Sequence, residues 1–169
     1  MRRRGSVMAA LLASSVLVAC GASVAEANAR CTLTFALSES PPLSAVQFTV
    51  DYSRVQGSFV GSGAEVECAS LVTNAATSVV DLCDGDYAQC EWGEGRLLKA
   101  AVIANAGFKG PVRIMRCAFE AAEAPEVLDF TVQVDGASLA RSSRSYGESE
   151  SLLDIVSIEC GATAGRGER

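Results

Sequence analysis

CTLTFAL, residues 31–37, alternates: Cys31, Leu33, Phe35 and Leu37 share one side, and Thr32, Thr34 and Ala36 share the other. Side chains of a strand point alternately to its two faces, so a period of two with one apolar set marks a strand with one buried face. The pattern recurs along the chain. SAVQFTVDY (44–52) sets Val46, Phe48, Val50 and Tyr52 against Gln47, Thr49 and Asp51. AEVEC (64–68) sets Ala64, Val66 and Cys68 against Glu65 and Glu67. VLDFTVQVDG (127–136) sets Leu128, Phe130, Val132 and Val134 against Asp129, Thr131, Gln133 and Asp135. RLLKAAVIA (96–104) and PVRIMRCAF (111–119) are apolar on both faces, which suits central strands, and LLDIVSIEC (152–160) closes the series. The stretch most open to a short helix is CASLVTNAATSVV (68–80), and its β-branched residues oppose one. Short strands separated by Gly and Pro breaks such as SESPP (38–42) predict a single all-β sandwich domain over residues 31–160. ARSSRSYGESES (140–151) reads as a surface loop and GATAGRGER (161–169) as a disordered tail.

The first 19 residues read as an export signal. Arg2, Arg3 and Arg4 precede an apolar run, Val7–Ala19, that is too short to span a bilayer. Leu17-Val18-Ala19-Cys20 resembles the lipobox of bacterial lipoproteins, in which the cysteine thiol is acylated and becomes the new N-terminus. Gly21 resembles the residue used there for onward sorting, and residues 20–30 then form a lipid-anchored tether. Ala27-Asn28-Ala29 resembles an ordinary A-x-A cleavage site, the route to a freely secreted chain. The apolar run ends at Cys20 and not at Ala29, which favours the lipoprotein and an outer-membrane or cell-surface location.

The formal net charge of −6 falls to −9 once the three leader arginines are removed, which argues against nucleic acid or anionic lipid as partners. Cys20 is the odd one of seven cysteines. The other six, on an exported chain, imply up to three disulfides in an oxidising compartment. Cys31, Cys68 and Cys117 share a phase with large apolar neighbours, where bridges between facing sheets are expected. Cys68–Cys117 is the preferred long-range pair, Cys31–Cys160 ties the ends of the domain together, and Cys83–Cys90 closes a local loop.

The order of these elements resembles that of cohesin domains. LSAVQFTVDYSRVQGSFVGSG (43–63) is similar to the second cohesin strand and the turn after it. LLKAAVIANAGFKGPVRIMRCAFEA (97–121), with Gly107, Phe108, Gly110, Pro111 and Phe119, is similar to a later strand, its small-residue turn and the strand ending in Phe. DFTVQVDGASLA (129–140) is similar to the penultimate strand. The resemblance implies a jelly-roll sandwich of about nine strands, related to carbohydrate-binding modules, that docks a protein partner. The six cysteines depart from the usual cohesin pattern.

The chain has no histidine, so serine and cysteine nucleophiles activated by histidine are excluded, and an enzyme is not expected. CDGDYAQCEWGEG (83–95) is the most distinctive segment. Tyr87 and Trp92, the only tryptophan, stand among Asp84, Asp86, Glu91 and Glu94. Aromatic faces stack on sugars and carboxylates accept from hydroxyls, so Tyr87, Trp92, Asp84, Asp86 and Glu91 form a candidate glycan site. The competing reading makes Trp92 a core plug within a solvated acidic loop. Asp84-Gly85-Asp86 is a weak Ca²⁺ signal, lacking a distal glutamate, and no other metal or cofactor is indicated. A further surface is the outward set Gln47, Thr49, Asp51, Thr131 and Gln133. The chain therefore reads as a non-catalytic binding module at the cell envelope. Protein docking comes first, polysaccharide binding second and a purely structural envelope role third.

Overall fold

A computed structural model of the chain describes residues 29–82, 96–141, 145–146 and 152–162. Ten strands follow in order: β1 (Ala29–Leu37), β2 (Leu43–Asp51), β3 (Gly57–Phe59), β4 (Cys68–Ser70) and β5 (Ala76–Asp81), then β6 (Leu97–Phe108), β7 (Val112–Ala121), β8 (Thr131–Leu139), β9 (Ser145–Tyr146) and β10 (Leu153–Ala162). They form two antiparallel sheets. One runs β10-β1-β7-β3, with β4 also paired to β7, and the other runs β5-β6-β2-β8-β9. The chain crosses repeatedly between the sheets, and the domain is a β-sandwich. β6 and β7, the strands apolar on both faces, each lie between two neighbours.

The alternating apolar sets meet between the sheets. Leu33, Phe35, Phe48, Val50, Leu98, Val102, Met115 and Phe119 are all fully buried. Phe35 meets Phe48 at 5.4 Å between ring centroids. Tyr52, Phe59, Phe119 and Phe130 stack edge to face at 5.1–5.9 Å. Such pairs add about 0.5–1.5 kcal/mol each to the hydrophobic term.

Two local expectations change and one holds. AEVEC enters a strand only at Cys68. Before it, Gly61 and Gly63 take positive φ (98° and 51°), and a Cβ on Gly61 would lie 2.2 Å from the Glu65 carbonyl oxygen. Val66 is still buried, as its phase requires. Residues 68–80 hold β4 and β5 with a turn at Asn74 (φ 56°), and contain no helix. Leu128, assigned to the buried set, is 81% exposed. A 3-10 turn at Val127–Asp129 breaks the pleat there, and alternation begins only at Phe130 and Val134, both buried.

The structure contains the Cys31–Cys160 and Cys68–Cys117 disulfides. Neither joins facing sheets. Both link directly opposed residues of paired strands in one sheet, β1 with β10 and β4 with β7, at Cα separations of 4.0 and 4.1 Å. Opposed residues in an antiparallel ladder already stand within bridging range, whereas stacked sheets sit about 10 Å apart. Cys83 and Cys90 lie outside the described residues. The two bridges indicate an oxidising compartment. Among the described residues no helix is long and apolar enough to cross a membrane.

The Cys31–Cys160 bridge closes a loop of 129 residues. Paired replacement by serine should lower the unfolding free energy by about 4–5 kcal/mol on the loop-entropy account. Urea unfolding of the paired variant beside the native chain measures this.

Candidate functional site

The aromatic and acidic candidates of the sequence, Tyr87, Trp92, Asp84, Asp86 and Glu91, lie outside the described residues, as do the lipidation candidate Cys20 and the Asp84-Gly85-Asp86 signal. The two feet of their segment are described. β5 and β6 are paired, with Leu82 N–H donating to Leu97 C=O at 2.9 Å, so residues 83–95 connect adjacent strands.

At those feet lies a buried polar cluster. Asp81 is 2% and Arg96 3% exposed. The Tyr52 hydroxyl donates to Asp81 Oδ1 at 2.7 Å, and the Arg96 guanidinium stacks over the Tyr52 ring, 5.1 Å from its centroid. Arg96 Nη2 donates to the Gly57 carbonyl, and Tyr52 N–H donates to the Arg96 carbonyl at 3.0 Å. Gly57 is obligatory here, because a Cβ would lie 2.3 Å from the Phe119 ring. The cluster ties β2, β3, β5 and β6 together across one end of the sandwich. Asp81 and Arg96 are thus both buried and hydrogen-bonded within the cluster. Sequence reading placed Tyr52 in the apolar set and overlooked Asp81. The signal available was a carboxylate in the inward phase of SVVD (78–81), two residues after buried Val79. Among the described residues no group of three or more His, Cys, Asp or Glu is placed to hold a metal ion.

The accessible candidate is the outer face of the second sheet. The outward sets named from sequence come together there, since β2 and β8 pair with Thr49 opposite Gln133 and Asp51 opposite Thr131. The register sets Ala76, Ile103, Ala45 and Ser138 in one row across β5, β6, β2 and β8. Ser78, Ala101, Gln47 and Gly136 form the next row, and Val80, Lys99, Thr49 and Gln133 the third. Most of these side chains are small, so the face is flat. Ile103 is 45% and Val80 37% exposed on it. Among the described residues of these four strands, the outward charges are Lys99, Asp51 and Asp135. Asp135 accepts from the Thr49 hydroxyl at 2.7 Å.

The first sheet differs. Its outer side carries Arg30, Arg113, Arg116, Glu120, Asp154 and Glu159, and Arg30 bridges Glu67 at 2.6 Å and Glu120 at 3.2 Å. Among the described residues, the outer side of the first sheet carries these six charged side chains against three on the second. The contribution of β6 to the second face was missed from sequence, because Ala101 and Ile103 in an apolar run look like core. Ala101 is only 9% exposed, yet it is sheltered by neighbours on the outer side and stands apart from the core cluster.

No protein-family model, curated protein or solved structure matches this chain.

Tyr52→Phe removes a donor to a buried carboxylate and should lower stability by about 1–3 kcal/mol, while leaving the secondary structure unchanged. Chemical denaturation followed by tyrosine fluorescence and far-ultraviolet circular dichroism tests both parts.

Proposed function

We propose that this chain is an exported, non-catalytic binding module of the bacterial envelope, and that it docks a protein partner on the outer face of β5-β6-β2-β8. The observation that carries this reading is the flat, charge-poor outer side of the second sheet, with Ile103 and Val80 exposed, beside a first sheet whose outer side is charged and ion-paired. Interface centres are depleted of charge relative to the remaining surface, and a flat patch of small side chains excludes water from a complementary surface without large rearrangement. Four strands about 4.8 Å apart and about eight residues long span roughly 500 Å². A standard interface takes about 800 Å² from each partner, so the partner also reaches the rim of the face.

The repeated crossing between sheets supports a jelly roll, and with it the likeness to cohesins in strands 43–63 and 97–121. The lipobox-like Leu17-Val18-Ala19-Cys20 supports a lipid tether, and with it an outer-membrane or cell-surface location.

The docking face is tested by immobilising the exported chain, disulfides intact, against secreted and envelope proteins of the producing cell, with insoluble polysaccharides in parallel. One protein retained at fixed stoichiometry, and bound at least tenfold more weakly by Ala101→Arg, is the expected result. Retention on polysaccharide alone, indifferent to Ala101→Arg, overturns it in favour of the glycan reading. For the tether, Cys20→Ala should abolish incorporation of labelled palmitate and move the chain from the membrane to the soluble fraction on cell fractionation.

A further inference from the structure

Residues 29 and 162 leave the sandwich at one end. Ala29 is in register with both Ala162 and Ala121, and Gly57, which receives Arg96, is opposite Ala121. The other end lies one length of β1 away, roughly 30 Å for nine residues. It is made by the turn 38–42, the turn 109–111 and residues 140–141.

The two turns are locked together. Gly110 N–H donates to the Ser40 hydroxyl at 3.1 Å, and Ser40 is only 7% exposed. A Cβ on Gly110 would lie 1.7 Å from the Ser38 carbonyl oxygen, so the two backbones touch. Ser38 in turn donates to the Leu152 carbonyl from N–H at 3.0 Å and from Oγ at 3.2 Å. Ala140 N–H donates to the Pro42 carbonyl at 2.8 Å. These contacts underlie an open surface groove of about 540 Å³ lined by Glu39, Pro41, Pro42, Lys109 and Pro111. That volume is in the range of small-ligand sites, and a cleft fixed before binding costs the ligand little reorganisation.

The wall has a definite chemistry. Three pyrrolidine rings present apolar C–H surface and carry no N–H donors. Glu39 is an acceptor, and Lys109 is a cation. Among the described residues Lys109 is in no ion pair, on a chain whose net charge is −6.

We propose that this cleft binds an acidic sugar, one uronate unit of a polysaccharide. The sugar carboxylate pairs with Lys109. Its hydroxyls donate to Glu39, and the C–H side of its ring lies on the prolines. A neutral sugar leaves the cation unused, and a small inorganic anion leaves the proline wall unused. This site is separate from the docking face and lies at the opposite end of the sandwich from Leu82 and Arg96.

The test is calorimetric titration of the exported chain, disulfides intact, with a galacturonic acid hexamer, its methyl-esterified form and cellohexaose. The expected result is saturable binding of the acid, at least tenfold weaker binding of the ester and the neutral glucan, and at least a tenfold loss with Lys109→Ala. Lys109 is exposed, so that variant keeps its melting temperature. Ala101→Arg, which alters the docking face, leaves hexamer binding unchanged. No saturation by the acid, equal affinity for acid and ester, or an affinity untouched by Lys109→Ala overturns the proposal.

Discussion

β1 is hydrogen-bonded along both edges, to β10 on one side and β7 on the other, and its register decides which side of three strands is dry. Leu33 lies between Ile158 and Cys117, and Cys31 between Cys160 and Phe119. A slip of one residue would turn Cys31, Leu33, Phe35 and Leu37 to water and Thr32 and Thr34 inward. The two disulfides sit in these adjacent rows, each joining a residue to the one opposite, so they lock the register that the apolar pattern selects. β7 carries the same constraint outward to β3 and β4.

The pleat that buries one side of each strand also composes the two outer faces, and here they differ. The first sheet carries arginines and carboxylates in neighbouring strands, where cross-strand pairs such as Arg30 with Glu120 compensate one another. Each such exposed pair contributes little to stability, but the set keeps that face hydrated. The second sheet carries alanine, serine, glycine and glutamine at its centre, and so stays flat and weakly hydrated. The closed end, built on Tyr52, Asp81 and Arg96, and the clefted end at Glu39 and Lys109 are equally unlike. One packs polar groups into the core, and the other leaves them at a rim. A sandwich of this size thus offers separate surfaces whose chemistry is set independently of the core.

Alternation by itself determined the class of fold and the identity of most buried residues, because a period of two in a half-buried strand leaves one solution for which side is inside. The inner positions of β6 and β7 were legible instead from runs apolar on both faces. The cysteine phase was likewise legible: Cys31, Cys68 and Cys117 stand in apolar sets, and the pairs 31–160 and 68–117 are the ones the structure joins. Where local backbone departs from the pleat, the pattern misled. The 3-10 turn at Val127–Asp129 turned Leu128 to solvent, and the glycine turn around Gly61 kept AEVEC out of a strand until Cys68. Neither departure has a signature in hydrophobicity: the 3-10 turn lies where the chain passes from β7 to β8 in the other sheet, and the Gly61 turn where it leaves β3 and returns to the same sheet at β4.

Tertiary structure alone decided which strands become neighbours, and the surfaces follow from that. Only pairing shows that the disulfides run within a sheet and that Ala101 and Ile103, apolar in sequence, face outward beside Gln47 and Ser78. Pairing and packing likewise brought Asp81, Arg96 and Tyr52 together from three separate segments. The physical reason is one of range. Side-chain alternation is a property of consecutive residues and is written locally. Hydrogen-bond partners 29–114 residues apart are chosen by the packing of the whole sandwich.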